Sequence, residues 1–244
     1  MSLLREHAFP IKAKLKQSLV LTYAVPAAEL EPLIPKRLKL DLYKEDTAFV
    51  AAAMVDTENM RPSGFPSFLG RRFILIGYRI FVRYTGKDGR TKRGLYILGS
   101  ETNSKFMAVS GNLMTSYSYQ HVDIDWQVTN NKGQTITSSS ELAVDVCEAT
   151  ENAPLPTKSP FPDWRQARRF AGPMPFTFSH NSERDEVLIV EGKRQGWKPL
   201  PIEVKKHRVP FFDQYQFSSF QLANAFLVSN LDYEWKKGIT ESWS

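Results

Sequence analysis

The sequence predicts one mainly β domain, closed into a barrel, with a few peripheral helices. Three observations carry this expectation. Short β-type runs separated by turn residues recur along most of the 244 residues. Composition is ordinary for a globular chain, at 42% hydrophobic and 24% charged with 13 Gly and 15 Pro, which excludes disordered and collagen-like classes. So many strands in an open sheet would leave edges, and closure removes them. No period of 20–50 residues repeats, and a chain of this length folds as one domain, 1–244, without disulfides or metal.

Gln17–Val25 reads as a strand and Pro26–Leu33 as a short helix that Pro35 stops. Leu38–Tyr43 and Thr47–Asp56 read as strands, followed by a Gly- and Pro-rich loop at 61–68. Phe73–Tyr84 is a long strand: one face carries Ile74, Ile76, Tyr78, Ile80 and Val82, the other Leu75, Gly77, Arg79 and Phe81. A polar turn at 85–94 leads into a partner strand, Leu95–Glu101.

The apolar period then changes to three or four at Phe106, Val109, Leu113 and Tyr117. With Asn103 or Ser104 as cap, this predicts a helix over 104–117. Val122–Val128 alternates as a half-exposed strand, and NNKG at 130–133 turns it into Thr135–Cys147. Six prolines between 154 and 175 mark a long connection with a helical turn at Asp163–Phe170. Further strands are expected at Pro175–His180, Glu186–Gly192 and Leu200–His207, while Gln221–Leu231 is ambiguous between strand and helix.

The net charge of +6 comes from scattered lysines and arginines without a nucleic-acid motif, so a solvated surface or an anionic small partner fits better than a polyanion. The longest apolar run, Ala48–Val55, is too short to cross a bilayer, so no membrane partner is expected. The amino terminus has no signal-like core and the single Cys147 has no disulfide partner. A cytoplasmic location is therefore the default expectation, and Cys147 reads as a small buried hydrophobe.

Nucleophile-elbow, phosphate-loop and dinucleotide signatures are missing from the sequence. The four histidines lack metal-ligand spacing, so neither metal nor cofactor is expected. His121, Asp123 and Asp125 share a strand face and read as solvated. Arg79 lies in phase with Leu75, Gly77 and Phe81, where a guanidinium needs a counter-charge. Gly77 leaves room beside it, and two partners stand open: an anionic ligand, or Glu101 on the neighbouring strand. Lys105 stands at the first turn of the 104–117 helix, where the helix dipole disfavours its charge. It either projects into water or supplies an amine for Schiff-base chemistry.

The segment LTYAVPAAELEPLIPKRLKLD at 21–41 resembles the amino-terminal signature of the acetoacetate decarboxylase family and its uncharacterised relatives, with Leu33, Ile34, Pro35, Leu38 and Asp41 matching without a gap. AMVDT at 53–57, RPSGFP, YRIFVR, GWKPLP at 196–201 and QLANAFLVSNLDYEWKK at 221–237 extend the resemblance over nearly the whole chain. It implies an antiparallel β-barrel or cone around a small-molecule cavity. Gly99-Ser100-Glu101 aligns with the family's Gly-Arg-Glu, which makes Glu101 an orienting or proton-transfer group. Lys105 then falls two residues before the Schiff-base position, followed by Phe106 where the family has a second, activating lysine.

A competing register aligns 111–120 with the same motif, matching Tyr117 and placing Tyr119 and Gln120 at the lysine positions. Lys16 aligns with a basic residue near the family's active site. The resemblance thus implies Lys105 and Glu101 as catalytic candidates and Lys16, Tyr117 and Tyr119 as contacts for a small keto or carboxylic acid, to which the strand phase of Arg79 adds a carboxylate anchor. A binding protein that has lost the lysine pair is the alternative. The oligomeric state, a homo-oligomer included, stays open.

Overall fold

The structure, a computed structural model, describes residues 7–129, 133–172 and 174–243. In chain order its elements are β1 (Ile11–Pro26), α1 (Ala27–Leu30) running into a 3-10 turn, β2 (Lys39–Leu40), β3 (Thr47–Pro62), β4 (Arg71–Thr85), β5 (Thr91–Thr102) and α2 (Lys105–Met114). Then come β6 (Tyr119–His121), β7 (Ile124–Val128), β8 (Gln134–Ser138), β9 (Ala143–Val146), α3 (Trp164–Ala171), β10 (Phe176–Asn181) and β11 (Glu186–Gln195). The chain finishes through β12 (Leu200–Pro201), β13 (Val204–Arg208), β14 (Gln221–Trp235) and β15 (Ile239–Ser242).

The expected mainly β architecture with a few helices is what forms. Most strands join one sheet in the order β12-β14-β1-β3-β4-β5-β10-β11-β15, and β11 also pairs with β14. A second sheet runs β13-β9-β8-β7. The main sheet is mixed rather than purely antiparallel: β5 pairs in parallel with both β10 and β6. Those partners reach β5 through crossovers, α2 for β6 and the proline-rich connection with α3 for β10, and a crossover is what lets a strand return in parallel.

Each face of the main sheet has its own layer. The alternation in β1 and β4 sends Leu19, Leu21, Tyr23, Ile76, Tyr78 and Ile80 to one side, where they meet Ile136, Val144 and Val146 of the small sheet. Tyr78 stacks on Phe211 with ring centroids 3.9 Å apart. Burying each such side chain contributes about 1.5–3 kcal/mol. On the other side, Phe49 and Phe81 pack with Phe161 and Ala171 beneath α3, and the rest of that face surrounds a cavity.

Several expectations need correction. Thr135–Cys147 is two strands, β8 and β9, joined by a turn, and the 130–132 part of the preceding NNKG turn lies outside the described residues. The helix expected over 104–117 stops at Met114, where Thr115 leaves helical geometry and its hydroxyl donates to the Gly111 carbonyl. Phe106, Val109 and Leu113, the stripe that predicted the helix, are exposed at 54%, 65% and 57%. Cys147 is half-buried. The ambiguous Gln221–Leu231 stretch belongs to a long strand, since pairing with β1 over most of its length decides what local propensity leaves open.

Candidate functional site

On the α3 side, the main sheet lines a cavity of about 150 Å³. Its room comes from small side chains on adjoining strands: Ala51 and Ala53 on β3, Gly77 on β4 and Ser18 on β1 all line it, and Ala53 pairs directly with Gly77. A volume near 150 Å³ accepts a benzene-sized molecule.

Arg79 projects into this space from β4, as the strand alternation predicted. A Cβ at Gly77 would stand 3.3 Å from Arg79 Nε, so glycine there leaves the guanidinium its place. Nε is buried with no hydrogen-bond partner. Burial pushes the Arg79 pKa below its ordinary value and the Arg194 charge acts in the same direction, against the opposing influence of Tyr233, Tyr119 and Tyr117.

Glu101 does not meet Arg79. β5 carries a bulge at Leu98: Arg79 pairs with Ile97, while Tyr78 pairs with Gly99. The extra residue reverses the facing of everything after it. Ser100 therefore lines the cavity, whereas Glu101 enters the opposite layer and accepts a 2.8 Å hydrogen bond from the Tyr78 hydroxyl. The Arg79–Glu101 salt bridge held open from the sequence does not form.

Tyr117 and Tyr119 both line the cavity, delivered by the short segment after α2. Ser118 between them takes a positive φ of 52°. Asn112 holds the segment from both sides, accepting from Tyr119 N at 2.7 Å and donating to Tyr119 O at 2.8 Å. Gly111 is required here, because a Cβ would fall 2.5 Å from the Tyr119 ring. Burial raises both phenol pKa values, so the hydroxyls are neutral donors and acceptors.

The remaining candidates lie elsewhere. Lys105 is exposed at the first position of α2, whose cap is Ser104 accepting from Met107 N at 3.2 Å. Lys16 is exposed at a bulge in β1. Neither lines the cavity, and among the described residues no lysine, aspartate or glutamate does.

Two cavity residues escaped the sequence reading. Arg194, near the end of β11, and Tyr233 on β14 are direct cross-strand partners. Arg194 lies over the Trp197 ring at 4.6 Å and the Tyr233 ring at 5.9 Å, and its Nη2 is buried without a partner. Burial lowers the Arg194 pKa and raises that of Tyr233. Gly192 admits the Tyr233 hydroxyl, which would sit 1.9 Å from a Cβ there. The expected strand ended at Gly192, before Arg194. The available signal was a repeated spacing: Gly77-x-Arg79 and Gly192-x-Arg194 each put an arginine two residues after a glycine on one strand.

Arg194 and Tyr233 also line an open outer groove of about 880 Å³, with Lys12, Lys14, Arg61 and Lys193 beside Glu191, Asp232 and Glu234. This pair therefore stands between groove and cavity. Among the described residues no group of three or more His, Cys, Asp or Glu could hold a metal ion, and no helix is long and apolar enough to cross a membrane.

Residues 12–230 match the family described as DUF2071, uncharacterized conserved protein. No curated protein matches the chain. In three dimensions it is similar to acetoacetate decarboxylase from Legionella pneumophila, at 12% identity and TM-score 0.60, covering 97% of this chain and 89% of that one. An acetoacetate decarboxylase-like enzyme from Sphingomonas wittichii is also 12% identical, at TM-score 0.59 with 99% and 94% covered. The enduracididine biosynthesis enzyme MppR, complexed with the condensation product of pyruvate and imidazole 4-carboxaldehyde, is 11% identical at TM-score 0.60, with 97% and 91% covered.

Proposed function

The chain belongs to the DUF2071 family and has the acetoacetate decarboxylase-like fold, and from that premise we propose that it binds a small keto or carboxylic acid in the sheet-lined cavity. One observation carries this reading: Arg79 lines the cavity with its Nε buried and unpartnered, and among the described residues no carboxylate lines the cavity to meet it. An unpaired charge inside a protein is costly, and a guanidinium is shaped to grip a carboxylate through two parallel hydrogen bonds. Tyr117, Tyr119, Ser100 and Thr177 supply neutral hydroxyls around the same space, suited to a keto oxygen or the far end of an acid. Ladders running from β14 through β1, β3, β4, β5, β10 and β11 back to β14 support reading the sheet as a closed wall, a barrel or cone, about the ligand. MppR holds a condensation product of pyruvate, and pyruvate is itself a small keto acid, which supports the chemical class.

A lyase acting through a Schiff base on Lys105, with Glu101 moving the proton and Lys16 as a second anchor, is the catalytic version of this reading. It rests on the family resemblance, and the exposed position of Lys105 favours simple binding over it. Calorimetric titration with pyruvate and acetoacetate tests the binding reading: wild type binds, and Arg79→Gln weakens binding by about tenfold or more. Equal affinity in Arg79→Gln, or no binding to wild type, overturns it. Borohydride treatment in the presence of acetoacetate, read by intact mass, then decides the chemistry. An adduct on Lys105 selects the lyase, and no adduct selects the binding protein.

A further inference from the structure

We infer that the acid this cavity takes is a short dianion, one anionic group on Arg79 and the other on Arg194. This inference rests on the acid-binding reading above and goes past it by fixing the ligand's charge. Two strands, β4 and β11, each send one arginine to the cavity wall, and each arginine has a buried nitrogen without a partner. Among the described residues neither forms a salt bridge, and no Asp or Glu lines the cavity to neutralise either.

The two cations also stand at different depths. Arg79 lines the inner cavity alone, while Arg194 lines both the cavity and the outer groove. Arg194 is not free to swing away, because Trp197 and Tyr233 hold its guanidinium by cation–π contact. A monoanion on Arg79 would leave the half-buried Arg194 without an ion-pair partner and its Nη2 unsatisfied, the carboxylates of the outer groove forming no salt bridge with it among the described residues, whereas a dianion spanning the two satisfies both. The fall in each arginine's pKa on burial agrees with two charges awaiting compensation. A volume near 150 Å³, about that of five waters in the liquid, suits a diacid of three or four carbons.

The test is calorimetric titration of the full chain with acids matched in carbon count, propionate against malonate and butyrate against succinate, at neutral pH and constant ionic strength. In wild type, malonate or succinate should bind about tenfold or more tightly than its monoanionic partner. Arg194→Gln should remove that preference by weakening the dianion and leaving the monoanion within about twofold, and Arg194→Lys should restore part of it. Equal wild-type affinities within each pair would overturn the dianion while leaving acid binding intact. So would an Arg194→Gln variant that weakens both members equally, since both arginines would then share one carboxylate. If no acid in the series binds wild type, the acid-binding reading itself falls. Should Arg194→Gln fail to unfold cooperatively, the wild-type pairs and Arg194→Lys still decide.

Discussion

Two pairs of arginines in this molecule are treated in opposite ways, although one member of each lies on the same face of the same strand. Arg83 and Arg93 are direct cross-strand partners on β4 and β5, a placement that would repel if nothing stood between them. Asp41 stands there, fully buried, bonded to Arg83 Nε and accepting from Arg93 Nε at 2.6 Å. Four residues earlier on β4, Arg79 forms no salt bridge among the described residues, and neither does Arg194 on β11, although Glu191, Asp232 and Glu234 share the outer groove with it. Where two guanidiniums serve only the architecture, the fold supplies the counter-charge from its own chain. Where it withholds one, the proposed acid ligand is what would bring the counter-charge.

The sharpest way to break this contrast is to remove the built-in anion. Asp41→Asn leaves Arg83 and Arg93 facing each other, and the chain should lose about 2–3 kcal/mol of stability. This is less than a fully buried pair would cost, because both arginines keep solvated outer faces. Urea unfolding should record it as a lower midpoint at unchanged slope. On the other side of the comparison, Arg79→Met removes a charge with nothing to pair with. Without ligand its midpoint should equal or exceed that of wild type, and acid affinity should drop by roughly 2 kcal/mol, about thirtyfold. A clear loss of stability in Arg79→Met would mean that Arg79 is already compensated within the fold.

Gly77→Ala refines the same point. A Cβ 3.3 Å from Arg79 Nε displaces the guanidinium by a few tenths of an ångström, so acid affinity should fall several-fold, to about a tenth at most, with little change in the midpoint. The smallest effect concerns pH. His7 is buried with Nδ1 unpartnered, and burial lowers its pKa from 6.5. The unfolded chain then takes up the proton first, so stability is fully present above pH 6.5 and declines as pH falls below it. Denaturation midpoints measured across that range should slope downward toward acid, and less steeply in His7→Phe.

Much of the fold was legible because strand alternation is local: Leu75, Gly77, Arg79 and Phe81 announce the cavity face of β4 in the sequence itself. The Ser104 cap, one of the two offered with Asn103, and a polar turn after Thr85, though one that ends at Thr91 rather than at 94, were readable for the same reason. What was not legible depends on partners far along the chain. The bulge at Leu98 is set by pairing against β4 and reverses the side on which Glu101 falls, so alternation carried forward from Leu95 puts the carboxylate on the wrong face. Arg194 and Tyr233 sit on polar strand ends that only the β11–β14 pairing makes regular. The α2 stripe misled differently: helical spacing identifies an apolar face but not whether anything covers it.

Ala51 and Ala53 make room in the cavity, and their position joins two properties of a binding site, its length and its charge. On the acid-binding reading, anion recognition falls to side chains on β4 and β11, while the space comes from small residues on β3, β4 and β1. A larger side chain on β3 then shortens the ligand the protein accepts, and it does so beside the Arg79 guanidinium, because Ala51 pairs directly with Arg79 and Ala53 with Gly77. Length and charge are therefore tuned together, so that a substitution which shortens the accepted acid also resets the grip on its carboxylate.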